Sequence, residues 1–417
     1  MNQEKYHSFA NGLKVVTLHM PEKKKVCMMV AVGVGSIHET AETDGAAHFT
    51  EHMLFKSNGY RNSSQFIRDI EWNGIQTGAF TDRDCTAFRV LSPPHTFIDA
   101  IQIAYEAYEN YDYVRAELET EREVVNTEIR RCWESPGCHV IHNLLMPYYF
   151  RGTDLERNVF GQVNAISNIT YEDMIQFKQK HYIPQKTVIA IAGNFDESNV
   201  LRKIETTFGI ISKPSLSAHE YNTDVVVESK EPLYEMKDGI GQAYMAQILH
   251  AADRFCGDDY YALHMLENAI GKLMSCRMCD ELLEKRGIGY DVRSMYQNHP
   301  ENCIILLVNG LDTMRLQETR DVLDNIVDDI VENGLPKAEI EGVRNKSLSL
   351  LQDQLENLDA ITINLFRKVM YDFPISILDE ENGYRNVTSE TLINAADKYL
   401  TKPRIEAGII PENPSIN

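Results

Sequence analysis

The segment Asn168-Ile-Thr-Tyr-Glu-Asp-Met-Ile175 recurs in the second half of the chain as Asn386-Val-Thr-Ser-Glu-Thr-Leu-Ile393. In both copies a threonine stands where the N-cap residue of a helix belongs, and a glutamate follows two residues on, which is typical of a helix start. Each predicted helix runs into a β-rich segment, at residues 187–192 in the first copy and 405–410 in the second. This shared order of elements predicts that the chain contains a structural repeat.

A second pair of matching segments has nearly the same spacing along the chain. Glu71-Trp-Asn-Gly-Ile75 is similar to Glu284-Lys-Arg-Gly-Ile288. Two matches in the same order and at nearly the same offset indicate a duplicated domain. Between the copies, residues 213–223 are rich in serine, proline and other polar residues, as linkers are. We therefore predict a first domain at 1–212 and a second domain at 224–417.

The predicted fold class is α+β. Strands such as those at 13–19, 26–34 and 303–308 are separated by long helical patterns, but they follow no regular strand-helix-strand rhythm. Each domain is therefore expected to consist of a largely antiparallel sheet with packed helices. The length of 417 residues agrees with two domains, because single hydrophobic cores stop growing at about 250–300 residues.

The composition restricts the partners and the location of the protein. Its 41 Lys and Arg residues against 62 Asp and Glu residues give a formal net charge of -21, which repels phosphate backbones and argues against nucleic acid. No stretch reaches the roughly 18 apolar residues of a membrane span, and the N-terminus lacks the basic start and apolar core of a secretory signal. The eight cysteines are scattered and do not form a disulfide framework, so a reducing cytoplasm is the expected location.

Residues 43–55, Thr-Asp-Gly-Ala-Ala-His-Phe-Thr-Glu-His-Met-Leu-Phe, contain the pattern His-x-x-Glu-His. We expect Asp44 to cap a helix that presents His48 and His52, four residues apart, on one face. Two imidazoles at this spacing can share one Zn²⁺, and Glu51 is close enough to reach a water on that zinc. The pattern is also compatible with two surface histidines beside an acid, so a third ligand is needed to decide between the two interpretations.

The stretch 45–56 resembles the zinc helix of the insulinase/pitrilysin metallopeptidases, the inverzincins. It is most similar to their short branch, typified by the mitochondrial processing peptidases and their bacterial relatives. That family has a second acidic helix, which here corresponds to Glu121-Arg-Glu-Val-Val-Asn-Thr-Glu128. The resemblance implies that Glu128 is the third zinc ligand and that Glu121 orients the ligands from behind.

The residues of this second helix agree with that implication on physical grounds. Glu121 and Glu128 are seven residues apart and therefore share one helix face. Leu118, Val125 and Ile129 form an adjacent apolar stripe that can anchor the helix to the core. The helix is thus expected to be fixed in place while it presents both carboxylates.

The resemblance also implies a reaction and a cofactor. It implies a zinc-dependent endopeptidase with one Zn²⁺ per chain, held by His48, His52 and Glu128, with Glu51 as the general base. The first domain is then the catalytic one, and the second domain binds no zinc and serves substrate binding or dimerisation. A duplicated α+β unit is that family's fold, which agrees with the repeat.

The resemblance further implies where a substrate lies. The peptide would add as a strand beside Gly78, Ala79, Phe80 and Thr81, inside a chamber formed by two clamshell-like chains. Leader or other precursor peptides, targeting presequences and general peptide fragments are the candidate substrates, and one chain does not distinguish among them.

Two positions depart from the family pattern. The family's second domain carries an arginine and a tyrosine seven residues apart that help to stabilise the tetrahedral intermediate, but here Leu283 precedes Tyr290 at that distance. Arg286 is four residues from Tyr290 and is not an obvious substitute. We therefore expect a homologous partner subunit that supplies an Arg/Tyr pair, with a homodimer as the second choice. A non-catalytic scaffold subunit of the same fold is the alternative function. The other departure is Gly78, where the family usually has asparagine.

Overall fold

The computed structural model describes residues 3–212, 221–228, 230–252, 254, 257–300 and 302–412. Of the predicted linker at 213–223, residues 213–220 lie outside the described residues. The predicted domain boundaries follow the sequence repeat and remain a prediction.

The first sheet has six strands in the spatial order β1-β2-β6-β3-β5-β4. Neighbouring strands are antiparallel, except that β2 and β6 are parallel. Every residue of β3 and β6 is buried, which explains their continuous apolar sequences. The strands are β1 Glu4–Ser8, β2 Lys14–His19, β3 Val26–Val32, β4 Gln76–Thr81, β5 Thr86–Ser92 and β6 Thr187–Gly193.

The second sheet has five strands in the order β7-β11-β8-β10-β9. The strands are β7 Leu233–Lys237, β8 Ala243–Ala252, β9 Gly289–His299, β10 Asn302–Leu311 and β11 Ile405–Pro411. Its neighbours are again antiparallel with one parallel pair, here β7 and β11. The order β7-β11-β8-β10-β9 repeats β2-β6-β3-β5-β4 of the first sheet strand for strand. The predicted α+β class, with two homologous and largely antiparallel sheets, is confirmed.

Helices surround both sheets. Those that close each copy of the repeat begin at the two predicted N-caps, since the side chains of Thr170 and Thr388 accept hydrogen bonds from backbone N–H groups of the first turn. Among the described residues, three short segments are π-helical, at His139–Leu145, Asn268–Lys272 and Cys279–Glu284. The α-helices of the described residues are α1 Ala46–His52, α2 Ser63–Trp72, α3 Phe97–Tyr108, α4 Arg115–Glu134, α5 Pro136–Cys138, α6 Met146–Tyr149, α7 Val163–Asn168, α8 Tyr171–His181, α9 Glu197–Thr206, α10 Tyr260–Glu267, α11 Leu316–Asn333, α12 Lys337–Glu356, α13 Leu358–Met370, α14 Glu380–Asn386 and α15 Ser389–Leu400.

The chain folds into two compact units, each built from three separate stretches of sequence. The first consists of Met1–Arg130, Arg157–Tyr221 and Asp353–Leu378, and the second consists of Arg131–Glu156, Asn222–Gln352 and Asp379–Asn417. Helix α13 therefore belongs to the first unit, where it packs against β3 and β6. Its Asp359 carboxylate lies 3.1 Å from Nε of Arg89 on β5. A helix from late in the sequence thus packs against the first sheet.

A disulfide joins Cys132, in the last turn of α4, to Cys138. The sequence, interpreted as that of a protein from a reducing compartment, did not predict this bond. The side chains of five other cysteines are buried, namely Cys27, Cys85, Cys276, Cys279 and Cys303. Within the part of the chain that the structure describes, no helix is long and apolar enough to cross a membrane.

Candidate metal centre

Helix α1 carries His48, Glu51 and His52, and its start differs from the prediction. The N-cap is Gly45, with a left-handed φ of 91°, and it makes no side-chain capping bond. The carboxylate of Glu39 instead accepts hydrogen bonds from the backbone N–H groups of Gly45 (2.8 Å) and Ala47 (2.7 Å). The predicted cap by Asp44 is therefore wrong, because the cap position falls on the glycine and a residue of the preceding turn satisfies the helix N–H groups.

Glycine is required at position 45 for two reasons. The left-handed φ strains any residue with a Cβ. In addition, a Cβ there would lie 2.6 Å from Cδ1 of Ile166 and 3.1 Å from Cα of Gly161. The tight entry into α1 fixes where the helix begins, and with it the position of the residues that follow.

Helix α4 brings Glu121 and Glu128 to the same place. Its buried stripe consists of Leu118, Val125 and Ile129, each at most 2% exposed and part of the first unit's core. Because this stripe fixes the rotation of the helix, the two glutamates are held on the side that faces α1. This is the arrangement that the seven-residue spacing predicted.

Three side chains converge within the first unit. Oε2 of Glu128 lies 3.4 Å from Nε2 of His52 and 3.8 Å from Nε2 of His48. The three donor atoms all lie within 4.8 Å of one another, and among the described residues this is the group of three that could hold a metal ion. A tetrahedral zinc site with bonds of about 2.0–2.1 Å separates its ligand atoms by roughly 3.4 Å. The residues therefore fit a zinc ion in both donor chemistry and spacing.

The two histidines have different electrostatic environments. Burial lowers the pKa of His48 to about 4, and the neighbouring His52 adds to this decrease, so His48 is neutral as a metal ligand must be. Burial also disfavours the charged form of His52, but the hydrogen bonds that its ring N–H groups donate to Glu128 and Glu121 outweigh this effect and raise the pKa of His52. The Glu128 side chain is 44% exposed, which leaves the group open to solvent on one side.

A chain of polar contacts lies behind His52. Its Nδ1 is 3.3 Å from Oε2 of Glu121, while its Nε2 faces Glu128. Lys56, one turn after His52, donates a hydrogen bond to the other oxygen of Glu121. A carboxylate on the distal nitrogen orients an imidazole and fixes its tautomer. Glu121 therefore lies where a residue that orients His52 would lie.

Glu51 is held by the edge strand of the first sheet. Oγ1 of Thr81 donates a 2.7 Å hydrogen bond to Oε2 of Glu51. Burial raises the pKa of Glu51, and the hydrogen bond from Thr81 partly offsets this. The net increase is in the direction that favours a carboxylate able to take up and return a proton.

The predicted substrate-contacting residues Gly78, Ala79, Phe80 and Thr81 form most of β4, which is the edge strand beside β5. A Cβ on Gly78 would lie 3.2 Å from Nε of Arg89, its partner on β5. A side chain at position 78 would therefore require the Arg89 guanidinium to shift by a few tenths of an ångström.

Tyr290 belongs to the second unit, on β9. The register shifts between Gly310 and Leu311, so that Tyr290 is the extra residue of a bulge and its ring lies over Gly310. Tyr290 is 56% exposed. Arg286, four residues before Tyr290, is engaged with Glu281, whose backbone carbonyl accepts a hydrogen bond from its Nη1 at 2.9 Å.

Three contributions to the site were not foreseen from the sequence. Glu39 caps α1, Lys56 contacts Glu121, and Thr81 binds Glu51 rather than only bordering a substrate. Of these, only Lys56 lies at helical spacing from a motif residue, four residues after His52. The contacts of Glu39 and Thr81 depend on turns and strand packing, for which the sequence contains no short-range signal.

Two family models match successive parts of the chain. The model described as insulinase (peptidase family M16) matches residues 14–163, and the model described as peptidase M16 inactive domain matches residues 168–347. Together they cover well over half of the chain. The chain belongs to the M16, or insulinase, family of peptidases, as the resemblance of its zinc helix predicted.

Bacterial relatives align over most of their length. The uncharacterized zinc protease YmxG of Bacillus subtilis is 23% identical over 367 residues, which is 85% of each chain. An uncharacterized zinc protease of Rickettsia bellii is 23% identical over 412 residues, covering 97% of this chain and 96% of the relative. Both alignments include the two halves of the repeat.

Solved structures share the whole fold. A protease from Helicobacter pylori superposes with a TM-score of 0.92 at 17% identity, covering 99% of this chain and all of the other. A peptidase M16 inactive domain from Pseudomonas fluorescens gives 0.90 at 17% identity, with both chains fully covered. A chain of complex III2 from Candida albicans gives 0.80 at 15% identity, covering 97% and 95%. At these identities the likeness establishes the duplicated fold.

Proposed function

We propose that the protein is a zinc-dependent endopeptidase. The observation that carries this proposal is the group formed by His48, His52 and Glu128, beside which Glu51 lies on the same helix as both histidines. The spacing of the three donor atoms suits one tetrahedral zinc, and relatives that align over most of the chain are named zinc proteases.

In this proposal each side chain of the site has a separate chemical role. Zn²⁺, when bound by the three side chains, supplies Lewis-acid activation of water and of the scissile carbonyl. Glu51 accepts the proton of the attacking water on its carboxylate and later donates it to the leaving amine. Glu121 holds the His52 ring, and Tyr290 is proposed to contribute a hydrogen bond to the tetrahedral intermediate.

The proposed substrate is an extended peptide. β4 is an edge strand, and a peptide can pair with such an edge through its main chain. Main-chain pairing at Ala79–Thr81 would bring the peptide to the strand that also contacts Glu51. Because this mode recognises backbone more than side chains, leader and other precursor peptides are all suitable candidates, taken up in a chamber built by two chains.

The proposed assembly is a cytoplasmic heterodimer. Leu283 stands where the family has an arginine, so a homologous subunit would supply the Arg/Tyr pair; a homodimer is the second choice. The native mass and subunit composition of the protein from its own source distinguish the two. The alternative function is a non-catalytic scaffold subunit of the same fold, and the intact set of three metal-ligating side chains argues against it.

The substitution Glu51→Gln tests the proposed reaction. It keeps the size of the side chain but removes the proton acceptor, so peptide hydrolysis should fall by about 10²–10⁴-fold. Zinc content, measured by elemental analysis, should stay at one ion per chain. The exposed Glu71 on α2 provides the matched control, because Glu71→Gln removes a carboxylate away from the centre.

Metal removal separates the enzyme from the scaffold alternative. His48→Ala should lose the zinc together with hydrolysis, whereas His95→Ala, at an exposed position, should keep both. A wild-type protein that binds zinc but cleaves no peptide, alone or with its partner, would favour the scaffold function. Hydrolysis at the wild-type rate in Glu51→Gln would exclude the mechanism.

A further inference from the structure

We propose that Thr81 is a positioning residue for the general base, and that it links the base to the strand that receives the peptide. The inference rests on the proposed function and extends it to a residue for which only a substrate contact was expected. Its basis is the 2.7 Å hydrogen bond from Thr81 Oγ1 to Glu51 Oε2, which joins the last residue of β4 to α1.

The hydrogen bond holds one oxygen of the Glu51 carboxylate in place. Oε2 accepts from Thr81, and the proposal places proton transfer on Oε1, the oxygen that does not accept from Thr81. Glu51 is a side chain with three rotatable bonds on a helix of only seven residues, and without a lateral contact its carboxylate can adopt several rotamers. A general base must lie within hydrogen-bond reach of the proton that it takes, and an error of about 1 Å can cost about 100-fold in rate.

The position of Thr81 on β4 gives this contact a second consequence. β4 pairs with β5 along one side and is the last strand of the sheet. A peptide that adds to the other side restrains the backbone of residues 79–81, and therefore also the Cα–Cβ bond that aims the Thr81 hydroxyl. Substrate pairing and base orientation would thus share one strand, so that a well-paired peptide improves catalysis more than binding.

A kinetic comparison of three variants tests the proposal. Thr81→Val replaces the hydroxyl by a methyl group of similar shape, and kcat should fall about 10- to 100-fold while KM changes by less than about threefold. Thr81→Ser restores the donor and should recover kcat to within about threefold. Zinc content should be the same in all variants, because Thr81 is not one of the three proposed ligands.

Thr77→Val is the matched control. Thr77 lies on the same face of β4, four residues and therefore about 13 Å from Thr81, so its change tests the loss of a hydroxyl from the strand without the contact to Glu51. It should keep the wild-type kcat. A merely structural role for Thr81 would lower kcat equally in Thr81→Val and Thr81→Ser or would lower zinc content, and either result would overturn the proposal. Wild-type kcat in Thr81→Val would do the same.

A second measurement does not depend on activity. In high-resolution crystal structures of the zinc-free protein, Glu51 should occupy one rotamer in the wild type and in Thr81→Ser, and a changed or divided rotamer in Thr81→Val. An unchanged Glu51 in Thr81→Val would refute the positioning role even if no peptide is cleaved. If the wild type hydrolyses nothing, alone or with its partner subunit, the proposed function fails by itself, and the rotamer comparison still decides on Thr81.

Discussion

At the scale of single residues, Glu39 supports the start of the helix that carries both histidines. Its carboxylate is only 4% exposed and bridges two N–H groups at the start of α1. Burial raises its pKa to about 8, although both backbone hydrogen bonds oppose this increase. A buried acid that is costly to ionise thus lies at the start of α1, the helix that carries the two histidines.

We expect Glu39→Ala to weaken zinc binding by about tenfold and to lower the free energy of unfolding by about 1–2 kcal/mol, because two helix N–H groups lose their acceptor. Glu39→Gln keeps one amide oxygen and should have a smaller effect on both. Zinc titration with a competing chelator and thermal unfolding measure the two quantities. Glu42→Ala, in the exposed part of the same turn, should change neither; equal losses in the Glu39 and Glu42 variants would contradict the capping role.

Residues that lie close in sequence could be predicted, and residues that meet through folding could not. His48, Glu51 and His52 follow from helical spacing alone, and Glu128 from the seven-residue interval to Glu121 together with a family resemblance. The sequence predicts that Asp44 caps helix α1. In the structure the N-cap is Gly45, in a left-handed turn, and Glu39 accepts the hydrogen bonds instead.

At the scale of elements, helix α4 carries both glutamates of the candidate metal centre and a cysteine of the disulfide. It spans Arg115–Glu134, presents Glu121 and Glu128 to α1, and reaches Cys132 four residues after Glu128. Since residues four apart share a helix face, the disulfide to Cys138 restrains the end of the helix one turn beyond the proposed ligand.

A reductant should therefore destabilise the wild-type protein. Closing a loop of this size stabilises a folded protein by about 2 kcal/mol, so dithiothreitol should lower the thermal midpoint of wild type purified in air. The double variant Cys132→Ser/Cys138→Ser should already melt at the lower temperature and should not respond to the reductant. Thiol counts of the denatured protein before and after reduction should differ by two in the wild type; equal counts would show that the bond does not form in solution.

Strand order was the least predictable property of the elements. The repeat located β6 and β11, and both capping threonines begin the helices that were expected at α8 and α15. The alternation of side chains along a strand cannot show that β6 lies between β2 and β3, because this alternation specifies which face of the strand is buried and not which strand is its neighbour.

At the scale of the whole molecule, one buried acid should make stability depend on pH. Glu380 on α14 is 4% exposed, and burial raises its pKa to about 7. Nearby Tyr261 and Tyr384 also have raised pKa values, mainly through burial and then through the charge of Glu380. The pKa of Glu380 is higher in the folded protein than in the unfolded chain. The stability that this group contributes is therefore fully present below about pH 4.5 and is lost as the pH rises to about 7.

Glu380→Gln removes this titration. Compared with the wild type, the variant should gain about 2 kcal/mol of stability between pH 5 and pH 8. Thermal unfolding at both pH values measures the change, and Glu381→Gln, on the exposed side of the same helix, should show no such trend. A difference between wild type and Glu380→Gln that is the same at both pH values would rule out ionisation of Glu380 as the cause.

The placement of α13 has a consequence for synthesis on the ribosome. β6 ends at Gly193, but the helix that covers β3 and β6 does not begin until Leu358, late in the second half of the chain. At about 5–20 residues per second, the apolar face of a completed first sheet waits on the order of ten to thirty seconds for its cover. The nascent chain therefore carries an unprotected β-sheet surface for a large part of its translation, and we expect it to need a chaperone during that interval more than the finished protein ever does.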